Sequence, residues 1–441
     1  MDAETYLKHA RSEVLKWRLP NGETYENCKP IESVDRTAVI GGGTMGRGIA
    51  IALCAAGYPV KLIENGKESK EQCKKELVKY FERLVSQKIM TPTQQENIWL
   101  VLELSDQLNE AEEADLVIEA IFEDIAAKKE LFRRLTQICK RTVIFATNTS
   151  TLDIDQMAES TANPDRFVGM HFFNPAAIMP IVEVVYGKQT SGQTVATAFD
   201  VTKRMKKVPI LVKNSPGFVL NRTLAWYGNQ SSRLCSQYGL LPQKVDDVIR
   251  DFGIPIGPLA MADMNGKASS LFKAGLDIST VVFKTFAQQM GWPYRSDPVV
   301  DKLIGMQRLG RKSKAGWYRY LGTGKRVSDP LIEQLVADVS RTSITNTQLL
   351  FDNDILNFIL FPIVNEAFRI LEDSIAPSPE YIDLMWVLAC GWPKEKGGPI
   401  YWAASQGYKY ILSYLETQYN LTGEIVWKPS QKLRELAMTK L

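Results

Sequence analysis

The sequence predicts an α/β domain with a doubly wound parallel sheet, followed by two repeated all-α domains. From Thr37 to about Asn214, short apolar runs such as TAVIG, ADLVIEA and TVIFATN alternate with longer segments of helical periodicity. This alternation is typical of βα units around a mostly parallel sheet. Beyond Pro216 the strand pattern fades, and helical segments broken by Gly and Pro continue to the C terminus. A chain of 441 residues has room for several such domains.

Composition and charge exclude several classes of protein. Hydrophobic residues make up 45% and charged residues 23% of the chain, which is typical of a globular protein and excludes collagen-like repeats. The 53 basic and 50 acidic residues nearly cancel, so we expect no nucleic acid partner. No apolar run approaches the ~20 residues that span a bilayer. Residues 1–17 carry three acidic side chains and resemble neither a secretory signal nor a transit peptide.

Cysteine and histidine usage narrows the chemistry. The six cysteines are widely spaced and never form a CxxC motif, which favours reduced thiols and argues against a zinc site. We therefore expect no metal. The chain has two histidines, His9 and His171, so a mechanism that needs an imidazole base has almost no choice of residue.

Four segments are expected along the chain. Residues 1–33 carry apolar side chains at helical spacing from Tyr6 to Trp17, followed by a Pro-Asn-Gly stop, which predicts a linker helix. The other predicted segments are the sheet domain at 34–213, the first helical domain at 214–325 and the second helical domain at 326–441.

The helical half contains a candidate internal repeat. The segment RLCSQYGLLPQKVDDVIRDFGIPIGP is similar to RILEDSIAPSPEYIDLMWVLACGWPKEKGGP. The matched positions are Arg233 with Arg369, Pro242 with Pro379, Asp246 with Asp383, and Pro258 with Pro399. Chance similarity between amphipathic helices is the alternative. A true repeat would place two like helical modules face to face within one chain.

A glycine motif gives the strongest local signal. Gly41, Gly43 and Gly46 have the GxGxxG spacing between an apolar strand and a helical segment. The first glycine allows a tight turn, the second lets the backbone approach a pyrophosphate, and the third permits close helix packing. The next predicted strand ends at Glu64, whose carboxylate can accept hydrogen bonds from a ribose and would repel a ribose phosphate. The pattern predicts a Rossmann-type domain that binds NAD rather than NADP; a tight turn without a ligand is the alternative.

Other polar residues follow the next two predicted strands. Glu123 and Lys128 come after ADLVIEA, and Asn148 and Ser150 come after TVIFA. Because ligands of open α/β sheets lie outside the carboxyl ends of the strands, we expect these side chains near the nucleotide. Each could instead cap a helix, and Ser150 could be an N-cap or turn hydroxyl before the helix near Asp153.

A histidine and a glutamate stand within or beside two apolar strands. His171 lies in RFVGMHFFNP and Glu183 in PIVEVVYG. A buried polar group costs free energy unless it is paired, and a carboxylate beside an imidazole is the arrangement of an oriented general base. A core histidine with an unrelated edge glutamate is the alternative. Asn221, in NSPGFVLNR, could reach a substrate oxygen or cap a helix.

These motifs together resemble a known family. GGGTMGRGIA, IEAIFED, TNTSTL, HFFNP, VEVV and NSPGFVLNR, in this order, resemble the NAD-dependent L-3-hydroxyacyl-CoA dehydrogenases over residues 34–322. The linker helix, NEAFRILED and GWPKEKGGP are similar to the dehydrogenase part of the peroxisomal multifunctional enzymes of type 1. With these features the resemblance covers nearly the whole chain.

The resemblance implies roles for particular residues. His171 would take the proton from the 3-hydroxyl group, Glu183 would orient the imidazole, and Ser150 and Asn221 would hydrogen-bond the substrate oxygen. Asn174 would line the site near the nicotinamide. The residues implied or predicted to contact the cofactor are Gly41, Gly43, Met45, Gly46, Glu64, Glu123, Lys128, Asn148 and Asn174.

The resemblance also implies a setting for the protein. It implies reversible NAD-dependent oxidation of (3S)-3-hydroxyacyl-CoA in fatty-acid β-oxidation, and no hydratase activity is expected from these residues. Thr439-Lys440-Leu441 resembles the SKL peroxisomal signal, which would engage an import receptor; the cytoplasm is the alternative. The repeat implies a monomer with an internal pseudo-dimer of helical domains. The competing functions are a dehydrogenase of a free hydroxy or sugar acid and a catalytically idle protein that binds NAD or acyl-CoA.

Overall fold

The chain divides into two compact units. The computed structural model describes residues 1–31, 33–264, 276–322, 324–341 and 351–439, except for the side chains of 277–279, 281 and 282. One unit, the helical unit, contains Met1–Lys8 and the described residues from Val219 onward. The other, the sheet unit, contains His9–Phe218. The predicted linker helix forms as α1 (Ala3–Glu13), which begins in the helical unit and ends in the sheet unit.

An eight-stranded sheet forms the centre of the sheet unit. Its strands are β1 (Thr37–Ile40), β2 (Val60–Ile63), β3 (Leu102–Ser105), β4 (Leu116–Glu119), β5 (Ile144–Thr147), β6 (Phe167–Phe172), β7 (Ile181–Tyr186) and β8 (Val208–Lys213). The strand order is β3-β2-β1-β4-β5-β6-β7-β8. The first six strands are parallel, in the order typical of dinucleotide-binding sheets. β7 runs antiparallel to β6, and β8 runs parallel to β7. The predicted α/β class with a mainly parallel sheet is therefore confirmed.

Helices separate the parallel strands, as the sequence predicts. They are α2 (Thr44–Ala55), α3 (Lys67–Ser86), α4 (Pro92–Val101), α5 (Ile125–Ile138), α6 (Ile154–Ala158) and α7 (Gly192–Arg204). Every residue of β1, β4, β5 and β6 is buried, which explains why these strands are continuous apolar runs without polar alternation. The titratable residues in these strands, Glu119 and His171, are consequently conspicuous in the sequence.

The helical unit contains mostly helices. They are α8 (Leu220–Tyr238), α9 (Pro242–Phe252), α10 (Pro258–Met264), α11 (Leu276–Gln289), α12 (Pro298–Gly305), α13 (Pro330–Arg341), α14 (Asp352–Glu372), α15 (Pro379–Met385), α16 (Pro399–Gln406), α17 (Tyr408–Thr422) and α18 (Gln431–Met438). A short hairpin, β9 (Arg319–Tyr320) and β10 (Arg326–Val327), also belongs to it. Among the residues that the structure describes, no helix combines the length and apolarity that a membrane span requires.

The proposed repeat recurs as matched contacts. Pro242 and Pro379 are each the first residue of a helix, a position whose N–H group would have no partner within the helix, so that a proline costs no hydrogen bond there. Asp246 accepts from the first N–H groups of α10, at 2.9 Å from Leu259 and 3.0 Å from Ala260. Asp383 accepts from α16 in the same way, at 2.7 and 3.0 Å. These shared contacts support two copies of one helical module.

A tyrosine hydroxyl donates a further hydrogen bond to each of these buried aspartates. The Tyr318 hydroxyl donates to Asp246 at 2.7 Å, and the Tyr6 hydroxyl, from helix α1, donates to Asp383 at the same distance. Burial raises the pKa of Asp383 to about 7, against the opposing effect of its three donors. Tyr6 also stacks on Tyr401, with ring centroids 4.6 Å apart. The start of α1 is therefore a structural part of the second helical module.

Helices α8 and α14 join the two modules through a buried ion pair. Arg222 donates to Glu366 at 2.5 Å and to Asp373 at 2.7 Å. Trp226 also donates to Glu366, at 3.2 Å. Because removing one partner of a buried ion pair leaves an uncompensated charge, the pair fixes how the two helices meet.

Removing either tyrosine hydroxyl should have a similar cost. Tyr6→Phe and Tyr318→Phe each deprive a buried carboxylate of one donor, and hydrogen bonds to charged groups contribute about 1.5–3 kcal/mol. We expect each variant to lower the free energy of unfolding of the helical unit by about 2 kcal/mol at pH 8, measured by calorimetry. Tyr25→Phe, at an exposed side chain, is the control. A loss in Tyr318→Phe without one in Tyr6→Phe would contradict the equivalence.

Candidate active site

The glycine motif forms a turn that no larger residue fits. Gly41, after β1, has φ +102°, and a Cβ there would lie 2.7 Å from the Ala120 carbonyl oxygen. A Cβ on Gly46 would lie 1.8 Å from the carbonyl oxygen of Gly41. Gly43 is the N-cap of α2, and no side chain caps the helix there. The N–H groups at this helix end therefore suit a pyrophosphate, and the turn fits a dinucleotide. Met45 lies half-buried in the first turn of α2.

Glu64 lies beside this turn, as its position after β2 predicts. One carboxylate oxygen accepts from the backbone N–H of Gly42 at 2.8 Å, and the other accepts from that of Asn65 at 3.2 Å. The side chain is half-buried. An acidic group thus stands at the end of the strand adjacent to the glycine turn, where it fits a ribose.

A buried ion-pair network lies at the ends of β4 and β5. The Lys128 ammonium contacts Glu119 at 2.6 Å and Glu123 at 3.2 Å. Burial would lower the pKa of Lys128, but the two carboxylates outweigh it and raise that pKa. Burial raises the pKa of Glu119 despite the nearby ammonium. The sequence prediction included Glu123 and Lys128 but missed Glu119. Its position near the end of the apolar run ADLVIEA could have revealed it as a buried charge.

Glu123 holds the segment that carries Ser150. Its carboxylate accepts from the Thr149 hydroxyl at 2.5 Å and from the backbone N–H of Ser150 at 2.9 Å. Burial would raise the pKa of Glu123, but Lys128 and these hydrogen bonds lower it. The N-cap of α6 is Asp153, whose side chain accepts from Asp155, so the alternative reading of Ser150 as that cap is wrong. Glu123 and Ser150 are thus brought together by the fold.

Asn148 occupies a structural position at the end of β5. Its side-chain oxygen accepts from the backbone N–H of Phe172 at 2.9 Å, which ties β5 to the end of β6. The side chain is half-buried. The contact fixes Asn148 beside the strand that carries His171.

His171 and Glu183 face each other across two strands. They are register partners in the antiparallel pair β6 and β7, so their side chains share one face of the sheet. The Nδ1 atom of His171 lies 2.6 Å from a carboxylate oxygen of Glu183. The histidine is 6% exposed and the glutamate is completely buried. Because the carboxylate accepts, the neutral imidazole carries its proton on Nδ1 and its lone pair on Nε2, which is the arrangement of an oriented base.

Two aromatic rings and one loop border this pair. The ring centroids of Phe173 and Phe218 lie 4.6 and 5.8 Å from that of His171. Asn174 follows β6 with an exposed side chain, and the peptide bond between it and Pro175 is cis.

Within the ranges that the structure describes, no group of three or more His, Cys, Asp or Glu side chains is suited to hold a metal ion.

Asn221 lies in the helical unit. It is the second residue of α8 and is partly exposed, whereas the N-cap position belongs to Val219. The sheet unit by itself brings together His171 with Glu183, and Glu123 with Ser150 and Lys128. Asn221 belongs to the other unit, and its role stays a prediction.

Two family models and several known proteins match this chain. The model of the 3-hydroxyacyl-CoA dehydrogenase NAD binding domain matches residues 36–215, and the model of the family's C-terminal domain matches residues 217–320. The peroxisomal bifunctional enzyme of Danio rerio is 35% identical over 447 residues, covering 98% of this chain. This chain spans about 60% of the length of that relative.

Solved structures show the same likeness. The dehydrogenase part of multifunctional enzyme 1 from C. elegans is 33% identical, with a TM-score of 0.73, and the match covers 99% of this chain and 97% of that one. The 3-hydroxybutyryl-CoA dehydrogenase of Escherichia coli K12 is 25% identical, with a TM-score of 0.77, over 92% of this chain and 98% of that one. The resemblance that the motifs indicate is confirmed. The chain belongs to the family of NAD-dependent 3-hydroxyacyl-CoA dehydrogenases.

Proposed function

We propose that this chain catalyses the reversible NAD-dependent oxidation of (3S)-3-hydroxyacyl-CoA to 3-oxoacyl-CoA in fatty-acid β-oxidation. The observation that carries the proposal is the buried pair of His171 and Glu183, 2.6 Å apart, in the same unit as the NAD-binding turn. The name of the E. coli relative, a 3-hydroxybutyryl-CoA dehydrogenase, favours a CoA ester as substrate.

The proposed mechanism assigns one proton to His171. Its Nε2 accepts the proton of the 3-hydroxyl group as the carbon–oxygen double bond forms at C3. Bound NAD would supply the hydride acceptor for C3. Glu183 stabilises the imidazolium that results, because its carboxylate accepts a hydrogen bond from the Nδ1–H group. Ser150 hydrogen-bonds the substrate oxygen and holds it toward Nε2, and the same role for Asn221 stays a prediction of the family resemblance. In the reverse direction His171 returns the proton to the oxygen.

The cofactor would be held by the chain's own turn and strand ends. Gly41 and Gly46 let the turn close tightly, and Gly43 begins α2 without a side chain, so that the helix-end N–H groups would face the pyrophosphate. Met45 lies in the first turn of that helix. The ribose and nicotinamide contacts are assigned to Glu64, Glu123, Lys128, Asn148 and Asn174. Glu64 follows β2, and Glu123, Asn148 and Asn174 follow the carboxyl ends of β4, β5 and β6, which supports this assignment. Lys128 lies on α5, with its ammonium against the last residue of β4.

The proposal includes a place and a state of assembly. Relatives named peroxisomal support a peroxisomal location, with the cytoplasm as the alternative. The proposed import signal ends in Lys440 and Leu441, which lie outside the described residues. The ion pair of Arg222 with Glu366 supports a monomer, because the two helical modules already bury charged groups against each other.

Removing the imidazole should abolish turnover. We expect His171→Ala to lower the rate of NADH formation from L-3-hydroxyacyl-CoA by more than about a hundredfold, the usual effect of losing a general base. Glu183→Gln should lower it less, because the imidazole remains. The measurement is NADH absorbance with CoA esters of several lengths and the matching free acids. His9→Ala, at the other histidine, half-exposed on α1, is the control.

Each outcome of that assay separates the candidate functions. Turnover of the free acids instead of the esters would favour a hydroxy acid or sugar acid dehydrogenase. NAD binding without turnover of any substrate would favour an idle binding protein. Full activity in His171→Ala would contradict the assigned base.

Adding one methyl group to the glycine turn should weaken NAD binding. In Gly46→Ala the new Cβ would stand 1.8 Å from the Gly41 carbonyl oxygen, so the turn must shift away from the shape that admits a pyrophosphate. We expect the dissociation constant for NAD, measured by calorimetric titration, to rise at least about tenfold, a change of 1.4 kcal/mol. Gly305→Ala has open space around its Cβ and is the control. Unchanged affinity in Gly46→Ala would contradict the location of the cofactor.

The molecular mass in solution tests the proposed monomer. The chain has a mass of 49.6 kDa, and we expect light scattering after size-exclusion chromatography to give that value at micromolar concentration. A mass about twice as large would show that the internal pair of helical modules does not replace a partner chain.

A further inference from the structure

Glu119 is a completely buried carboxylate at the junction of three strands. It is the last residue of β4, in register with Ile40 of β1 on one side and Thr147 of β5 on the other. The glycine turn follows Ile40, and the segment with Ser150 follows Thr147. Glu119 therefore lies between the two chain segments that the dehydrogenase site requires.

Both oxygens of this carboxylate are used. One accepts from the Lys128 ammonium at 2.6 Å and from the backbone N–H of Ile121 at 2.7 Å. The other accepts from the Thr147 hydroxyl at 2.6 Å. Full satisfaction of this kind makes a buried carboxylate rigid, since any movement breaks several hydrogen bonds at once.

The network continues from Glu119 to Ser150. Lys128, which is 1% exposed, joins Glu119 to Glu123, and Glu123 receives the backbone N–H of Ser150. Without Glu119 the buried Lys128 ammonium would have Glu123 as its one carboxylate partner of the two. We therefore expect the Glu123 side chain to turn toward Lys128. Glu123 would then release the segment around Ser150.

Stability alone does not explain such a network. Charged groups lose their hydration on burial, and well-packed apolar side chains of similar volume are often as stabilising as a buried ion pair or more so. Lys128 and Glu119 nevertheless stand completely inside the unit, at the sheet edge where the site lies. This placement favours a role in orienting the site.

We propose that Glu119 is a positioning residue of the NAD-dependent site, which acts through Lys128 and Glu123 to orient the backbone around Ser150. The part of this inference that concerns turnover rests on the proposed function. The part that concerns the segment Thr149–Thr151 rests on the contacts alone.

The test compares Glu119→Gln with Glu110→Gln by hydrogen exchange and kinetics. Glu110 is a matched control, because it too accepts from a lysine and a hydroxyl, Lys61 and Ser105, near the end of β3. In Glu119→Gln we expect faster amide exchange in peptides that contain Thr149–Thr151, with exchange in β6 unchanged. We also expect kcat for the CoA ester to fall at least about tenfold at saturating NAD and substrate. Glu119→Asp keeps the charge and should show a smaller effect on both.

The outcomes separate this inference from the proposed function. If the wild-type chain turns over no CoA ester, the proposed function fails and the exchange data still decide the role of Glu119. Unchanged exchange around Ser150 in Glu119→Gln would overturn the inference. Faster local exchange with unchanged kcat would overturn the link to turnover. If Glu119→Gln does not fold, Glu119→Asp carries the test, and wild-type exchange and kcat in it would overturn the proposal.

Discussion

The common direction of the first six strands is the constraint on which the site depends. Because β1, β4 and β5 run parallel, their carboxyl ends meet at one edge, and residues far apart in sequence become neighbours there. Glu119 and Thr147, 28 positions apart, are register partners joined by a hydrogen bond. The reversal of β7 has a second effect, since an antiparallel pair places His171 directly opposite Glu183. The proposed cofactor edge and the proposed base therefore arise from two kinds of strand pairing in one sheet.

Much of this arrangement could be predicted from sequence because the residues concerned are unusual where they stand. Glycines at Gly41 and Gly46 are required by backbone contacts that any side chain would block, so their spacing identifies the turn. A histidine inside an apolar strand needs a hydrogen-bond partner, and few polar residues of the neighbouring apolar strands could serve as that partner. The apolar run around Glu119 could have revealed a buried charge, but not its role, because its partners come from α5 and β5 and a strand pattern does not show which donors converge on a buried group.

Each of the two units contains a buried cation that is paired with carboxylates. Lys128 lies between two carboxylates and Arg222 contacts Glu366 and Asp373, so each unit pairs a buried cation with two acids. In both networks an ion pair joins two different elements: Lys128 with Glu119 joins α5 to β4, and Arg222 with Glu366 joins α8 to α14. Separating either pair of elements would leave a buried charge unpaired. Charge pairing thereby fixes the ends of β4 and β5 in the sheet unit and the crossing of α8 and α14 in the helical unit.

The helical repeat shows what a module must preserve. Both copies retain an aspartate that receives the first N–H groups of a following helix, since helix N termini stabilise negative charge. The third donor is also a tyrosine hydroxyl in both, but Tyr318 comes from the segment leading into the hairpin and Tyr6 from the N-terminal helix. A sequence comparison of the two copies finds the aspartates and misses the tyrosines, because the second copy takes its donor from the opposite end of the chain. The property that recurs is the satisfied carboxylate, and different segments of the chain can supply it.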